Sequence, residues 1–237
     1  MLGKVTAVVV ALTMLVGIGV ASAIVVDGVN DFAAGDLVDA DGGDTEFAEI
    51  DMLDVYITYD ENGIYIGYGH DPGGWTGVQI GIAFATTMTG GGTTDPWGHQ
   101  IGFQGACLPE YVAYVNLDSE WNEWRVWDGA TWVANANIIN WVTNTAFDEL
   151  EITYEMLGVD CAEFSQVFIE LWVTQDGGTK GPLDLSYNDG LQLSVAGGPT
   201  IWDIDAPVLI SCYHCLELYG PSAADATTWG GIKRLYR

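Results

Sequence analysis

Basic side chains are scarce: Lys and Arg together number 6 in a chain of 237 residues, against 33 Asp and Glu. Lys4 stands near the start, Arg125 and Lys180 are isolated, and Lys233, Arg234 and Arg237 close the chain. Neutralising phosphates requires clustered cations, so nucleic acid is excluded as a partner of the acidic body. Histidine is scarcer still, with three residues far apart in sequence, and neither a His-Glu-x-x-His nor a Gly-x-Ser-x-Gly motif occurs. Two carboxylates suffice for glycoside hydrolysis, but with so many acids a pair is always available and carries no signal. The chain therefore reads as non-catalytic. Segments with helical periodicity are almost absent, and no internal repeat is evident.

What is present begins with an apolar run. Lys4 precedes Val5–Val20, which holds no charge, and Ala21-Ser22-Ala23 follows as a small-x-small site. That order predicts a secretory signal peptide over residues 1–23. The competing reading is a membrane anchor, since residues 5–26 just reach the length that spans a bilayer. Export would place the mature chain in a secreted, extracellular or cell-surface setting, where disulfides persist and calcium is available. The net charge of −27 makes the surface self-repelling, which bound cations would relieve.

Four cysteines, Cys107, Cys161, Cys212 and Cys215, are then disulfide candidates, and four cysteines allow three pairings. Cys107 with Cys161 is expected, which leaves Cys212-Tyr213-His214-Cys215 as a local pair. No second CxxC accompanies that motif, so a structural role is favoured over zinc or redox chemistry.

Strand signals dominate the body. A short first strand is expected at Ile24–Val26, then loops through the Gly- and Asp-rich stretch to Asp44. Asp54–Tyr59 and Ile64–Tyr68 alternate in β-branched and aromatic residues around Asp60-Glu61-Asn62-Gly63, a hairpin whose Asn-Gly tolerates positive φ. Further strands are predicted at Val78–Ala85, Ile101–Phe103, Tyr111–Leu117, Glu123–Trp127, Thr131–Ala134, Leu150–Tyr154, Val167–Thr174 and Leu191–Val195. Tyr154–Val159 is the one helical turn. Many short strands with Gly and Pro turns predict an all-β fold, an antiparallel immunoglobulin-like or jelly-roll β-sandwich, with a closed barrel as the alternative. The expected domain covers residues 24–198. Residues 199–237 read as a C-terminal extension with the CxxC and a basic tail, although Thr200–Leu209 has the character of a strand or a linker.

Calcium takes about six to eight oxygen ligands, so Asp clusters on turns suit it. Asp27, Asp31, Asp36, Asp39, Asp41 and Asp44 form one such region, and Asp71 with Asp95 a second. Neither fits an EF-hand. Ten tryptophans are many for this length. Sugars present apolar faces beside polar edges, which an exposed Trp flanked by polar groups matches. Trp75 and Trp97 lie in Gly-rich loops, and Trp121 and Trp124 are further candidates for ligand binding. Trp121, Trp124 and Trp127 are spaced by three, so on one strand Trp124 faces opposite to the other two.

Asp27-Gly28-Val29-Asn30-Asp31, the acidic stretch to Asp44, and Glu49-Ile50-Asp51 leading into VYITYDENGIYIGY resemble the start of family 9 carbohydrate-binding modules and the related C-terminal domain of glucodextranases. GGGTTDPWGHQIGF, YVAYVNLD and WVTQDGGTKGPLD are similar to later parts of that group, so the resemblance spans residues 24–195. It implies a β-sandwich, structural calcium and, in the binding members, sugar held by aromatic side chains. Together these readings give a secreted, calcium-stabilised module that binds polysaccharide or another glycan through loop aromatics. The alternative is a structural cell-surface or filament-forming subunit that self-associates or attaches through its C-terminal tail or an open sheet edge.

Overall fold

The computed structural model describes residues 24–40, 48–70, 76–88, 90–119, 121–136, 138–144, 146–160, 165–177, 180–186, 206–211 and 213–218. The expected signal peptide, the strand at Leu191–Val195 and the basic tail lie outside the described residues.

Alternating apolar and polar residues build two antiparallel sheets. The first contains β1 (Leu37–Asp39), β2 (Met52–Tyr59), β3 (Gly63–His70), β9 (Asn140–Thr143) and β10 (Phe147–Thr153), in the order β1-β2-β3-β10-β9. The second contains β4 (Val78–Ala85), β6 (Tyr111–Asn116), β7 (Asn122–Trp127), β8 (Trp132–Ala136), β11 (Ser165–Gln175), β12 (Asp184–Leu185) and β14 (His214–Leu218). Its order runs β12-β11-β4-β6-β7-β8, with β14 sharing the outer edge of the long β11. A parallel ribbon of β5 (Ile101–Phe103) and β13 (Val208–Ile210) accompanies it. The β-sandwich is thus the fold.

Between the two sheets lie Ile57, Ile64, Ile66, Leu150 and Ile152 from one and Ile80, Ile82, Val115, Trp124, Ile169 and Leu171 from the other. These residues alternate along each strand, as a one-sided burial pattern requires. The seven-stranded sheet is also covered on its outer face, where Ala83, Val112, Tyr114 and Trp172 pack with Ile101, Phe103 and Ile210 of the ribbon. That is why all of β4 is buried. Asp184 clips the sheets together, accepting the Met52 amide at 2.6 Å.

Several expectations change. Residues 24–26 are not a strand, and the first strand is β1, inside the stretch read as loops. Gly63 has no positive φ; the requirement there is close approach, since a Cβ would stand 2.5 Å from the Ile152 carbonyl oxygen. The turn is held instead by Asp60, whose carboxylate accepts the amides of Asn62 (2.7 Å) and Gly63 (3.3 Å). The helical turn is α1 (Tyr154–Leu157), capped by Thr153 and closed by Gly158 at φ 62°. Within the stretch expected as a C-terminal extension, β13 and β14 are hydrogen-bonded to β5 and β11 of the body.

Candidate functional site

The connection from β4 to β6, residues 86–110, crosses the outer face of the seven-stranded sheet and delivers polar groups onto it. Asp95 organises this crossing. Its Oδ2 accepts the amides of Trp97 (2.8 Å) and His99 (3.0 Å) and the His99 Nδ1 (2.9 Å). Its Oδ1 accepts the Tyr114 hydroxyl at 2.6 Å, and that hydroxyl accepts the Trp172 indole N–H at 3.1 Å. Burial, then the Asp95 charge, pushes the Tyr114 phenol well above its ordinary pKa, so it stays a donor. With both oxygens engaged by donors, Asp95, the expected calcium ligand of this loop, is a buried brace in the structure.

The loop held by Asp95 lays Trp97 beside β7. The Trp97 indole donates to Glu123 at 2.9 Å, and Glu123 pairs with Arg125 at 2.8 Å. The Arg125 guanidinium carbon lies 4.5 Å from the Trp97 ring centroid, a cation–π arrangement. Trp121 meets Trp97 edge-on at 6.0 Å, and Trp127 meets Trp132 at 5.4 Å. Trp132 in turn donates to the Thr94 carbonyl at 2.8 Å. Trp97, Trp121, Trp127 and Trp132 are each half-buried. Trp124 takes the opposite face, as its spacing predicted. At 1% exposure it is a core residue against Phe84 and Tyr111, so its assignment to ligand binding is corrected: neither face of its ring is open. Trp75 lies outside the described residues.

Two clefts open at the ends of β7. One, of about 800 Å³, is lined by Tyr111 and Trp127 with Thr86, Thr87, Glu110 and Asp128. The other, of about 580 Å³, sets Trp141 among Asp118, Ser119, Asn122 and Asn140. Trp132, Trp141, Arg125 and Glu123 line this candidate surface and its clefts without having been named as candidates, and Trp127 was placed only by its spacing from Trp121 and Trp124. The two-residue parity from Trp121 through β7, which puts Glu123, Arg125 and Trp127 on the face of Trp121, was the available signal for these three.

The acidic residues of the first region lie elsewhere. Glu149, on the outer face of the five-stranded sheet, accepts the amides of Asp27 (2.9 Å) and Gly28 (2.7 Å) through Oε2. Gly28 is required, because φ is +79° and a Cβ would stand 2.7 Å from Asn144. Glu149 Oε1 and Asp31 Oδ1 are buried without a hydrogen-bond partner. Burial foremost, and also the charges of Asp31 and Asp27, push the Glu149 carboxyl up. Asp36 stands apart, accepting the Ala33 amide at 2.8 Å. Asp41 and Asp44 lie outside the described residues. Among the described residues no three acidic, His or Cys side chains converge closely enough to hold an ion, so the loop offers oxygens and not a formed cage.

Among the described residues there is also no disulfide: Cys107 and Cys215 are free thiols, and Cys161 and Cys212 lie outside. No helix of the described residues is long and apolar enough to cross a membrane. Compared with known proteins, the chain matches no family model and no curated sequence. The resemblance to family 9 modules therefore rests on segment order alone.

Proposed function

We propose that this is an exported, non-catalytic glycan-binding module whose ligand lies along the outer face of β7 and into the cleft at Trp127. The observation that carries the reading is the row of half-buried indoles, Trp97, Trp121, Trp127 and Trp132, interleaved with the Glu123–Arg125 ion pair. Indole faces stack on the C–H faces of sugars, while fixed charged and hydroxyl groups address their edges. Arg125 is one of only two basic residues between Lys4 and Lys233, and it stands on this surface. Calorimetry against α-glucans, xylan and cellulose tests the reading. Binding to one of them, weakened at least tenfold by Trp127→Ala, is the expected result; no heat with any of the three, calcium present, overturns it.

Calcium belongs to the same proposal. The ion would draw on Asp31 Oδ1 and Glu149 Oε1, which are buried without partners, with backbone and water oxygens completing its shell, and would relieve the repulsion of Asp27 and Asp31 on Glu149. Chelation is then expected to lower the melting temperature. An unchanged value removes calcium from the reading.

A structural, self-associating subunit is the second reading. It draws on the exposed edge strand β8, where Val133 is 47% exposed. Filaments of the purified chain, with no glycan bound, are the result that favours it.

A further inference from the structure

The described thiols approach each other from two directions. Cys215 on β14 lies opposite Phe168 of β11, while the flanking pairs, His214 with Ile169 and Leu216 with Val167, hold Val167, Ile169 and Leu216 in the inter-sheet core. Strand alternation therefore turns the Cys215 side chain to the outer face, the side crossed by residues 86–110. Cys107 belongs to that crossing, its sulfur 3.5 Å from the sulfur of Met88, three residues beyond the end of β4. Between the two cysteines the chains are already joined. Phe103 is in register with Ile210, the Gln104 amide donates to the Ile210 carbonyl at 2.9 Å, and a Cβ on Gly105 would stand 3.8 Å from the Ser211 carbonyl oxygen. Gly105, two positions before Cys107, thus lies beside Ser211, four positions before Cys215. Consistent with this, the Cys215 thiol is pushed up by burial, by Glu217 and by Cys107 itself, so the two sulfurs lie within electrostatic reach.

We propose that Cys107 and Cys215 form a disulfide that staples the loop carrying Asp95 and Trp97 to β14, in place of the pairing of Cys107 with Cys161. The step is an exchange with a low-molecular-weight disulfide such as oxidised glutathione. The Cys215 thiolate attacks one sulfur and releases a glutathione thiolate. The Cys107 thiolate then attacks the mixed disulfide and releases the second. Two protein thiols are oxidised, one glutathione disulfide is reduced to two thiols, and no other electron donor or acceptor is involved. Both cysteines are partly accessible, as exchange requires.

Peptide mapping of the full chain, oxidised in a glutathione redox buffer, tests the assignment. Digestion at acidic residues suits a chain so poor in Lys and Arg. One reduction-sensitive peptide pair joining the segments of Cys107 and Cys215 is expected. A link from Cys107 to Cys161, a link from Cys215 to Cys212, or alkylation of both thiols without prior reduction overturns it. As a second readout, Cys107→Ser and Cys215→Ser are each expected to lower the melting temperature of the oxidised protein by the same amount, and the double variant no further. Additive losses overturn the pairing even if the map is incomplete.

Discussion

Glu149 sits at 1% exposure with one oxygen on two backbone amides and the other on nothing. Its environment resists ionisation, because burial removes water and Asp31 and Asp27 add like charge. Its pKa in the fold is therefore higher than in the unfolded chain, so the folded state binds this proton more tightly. The resulting stability is fully present below the unfolded value and is lost as pH rises through the folded value. In chelator, the protein is expected to gain stability from this group as the pH is lowered from neutrality toward the ordinary Glu range, and Glu149→Gln is expected to remove that component. Urea titrations at a series of pH values measure it, and an unchanged pH profile in the variant contradicts it. Nothing in the sequence marked Glu149 above the other acids. Its partners Asp27 and Gly28 are about 120 positions away, so only the folded chain brings them together.

At the scale of the element, β4 depends on Gly81. This residue is in register with Trp172 on one side and Tyr114 on the other, and those rings meet edge-on above it at 5.7 Å. A Cβ at Gly81 would lie 2.2 Å from the Trp172 ring, which is fully buried and cannot withdraw. Gly81→Ala is expected to cost about 1–3 kcal/mol by overpacking. In denaturant titration this appears as a lower midpoint at unchanged slope, because the surface exposed on unfolding is the same. An unaltered midpoint contradicts the packing account. The element itself was legible: Val78–Ala85 and Ile101–Phe103 fall where β-branched residues and flanking turns predict. The strands that escaped notice, β1, β9, β12 and β14, are short or mixed in composition, and partners far away in sequence specify them.

For the whole molecule, β14 is the element that decides where the domain stops. Leu216 and Leu218 enter the inter-sheet core, and β14 covers the half of β11 that β12 does not reach. A chain ending at residue 198 would leave that edge open and the core short of both leucines. Residues 24–198 are expected to aggregate or to lack a cooperative melting transition, whereas residues 24–218 retain one. Scanning calorimetry of the two distinguishes these outcomes, and a cooperative transition in the shorter chain supports the boundary at 198/199. Composition, two-residue periodicity and turn residues determined the fold class and the face taken by Trp121, Trp124 and Trp127, because these signals are local to one strand. Tertiary structure alone decided that Asp95 braces a buried hydroxyl, that Trp124 is core, that Glu149 joins Asp27 and Asp31, and that the chain beyond residue 199 completes the sheet. Each of these depends on which strands lie side by side, and strand pairing is a long-range choice set by the packing of the whole sandwich.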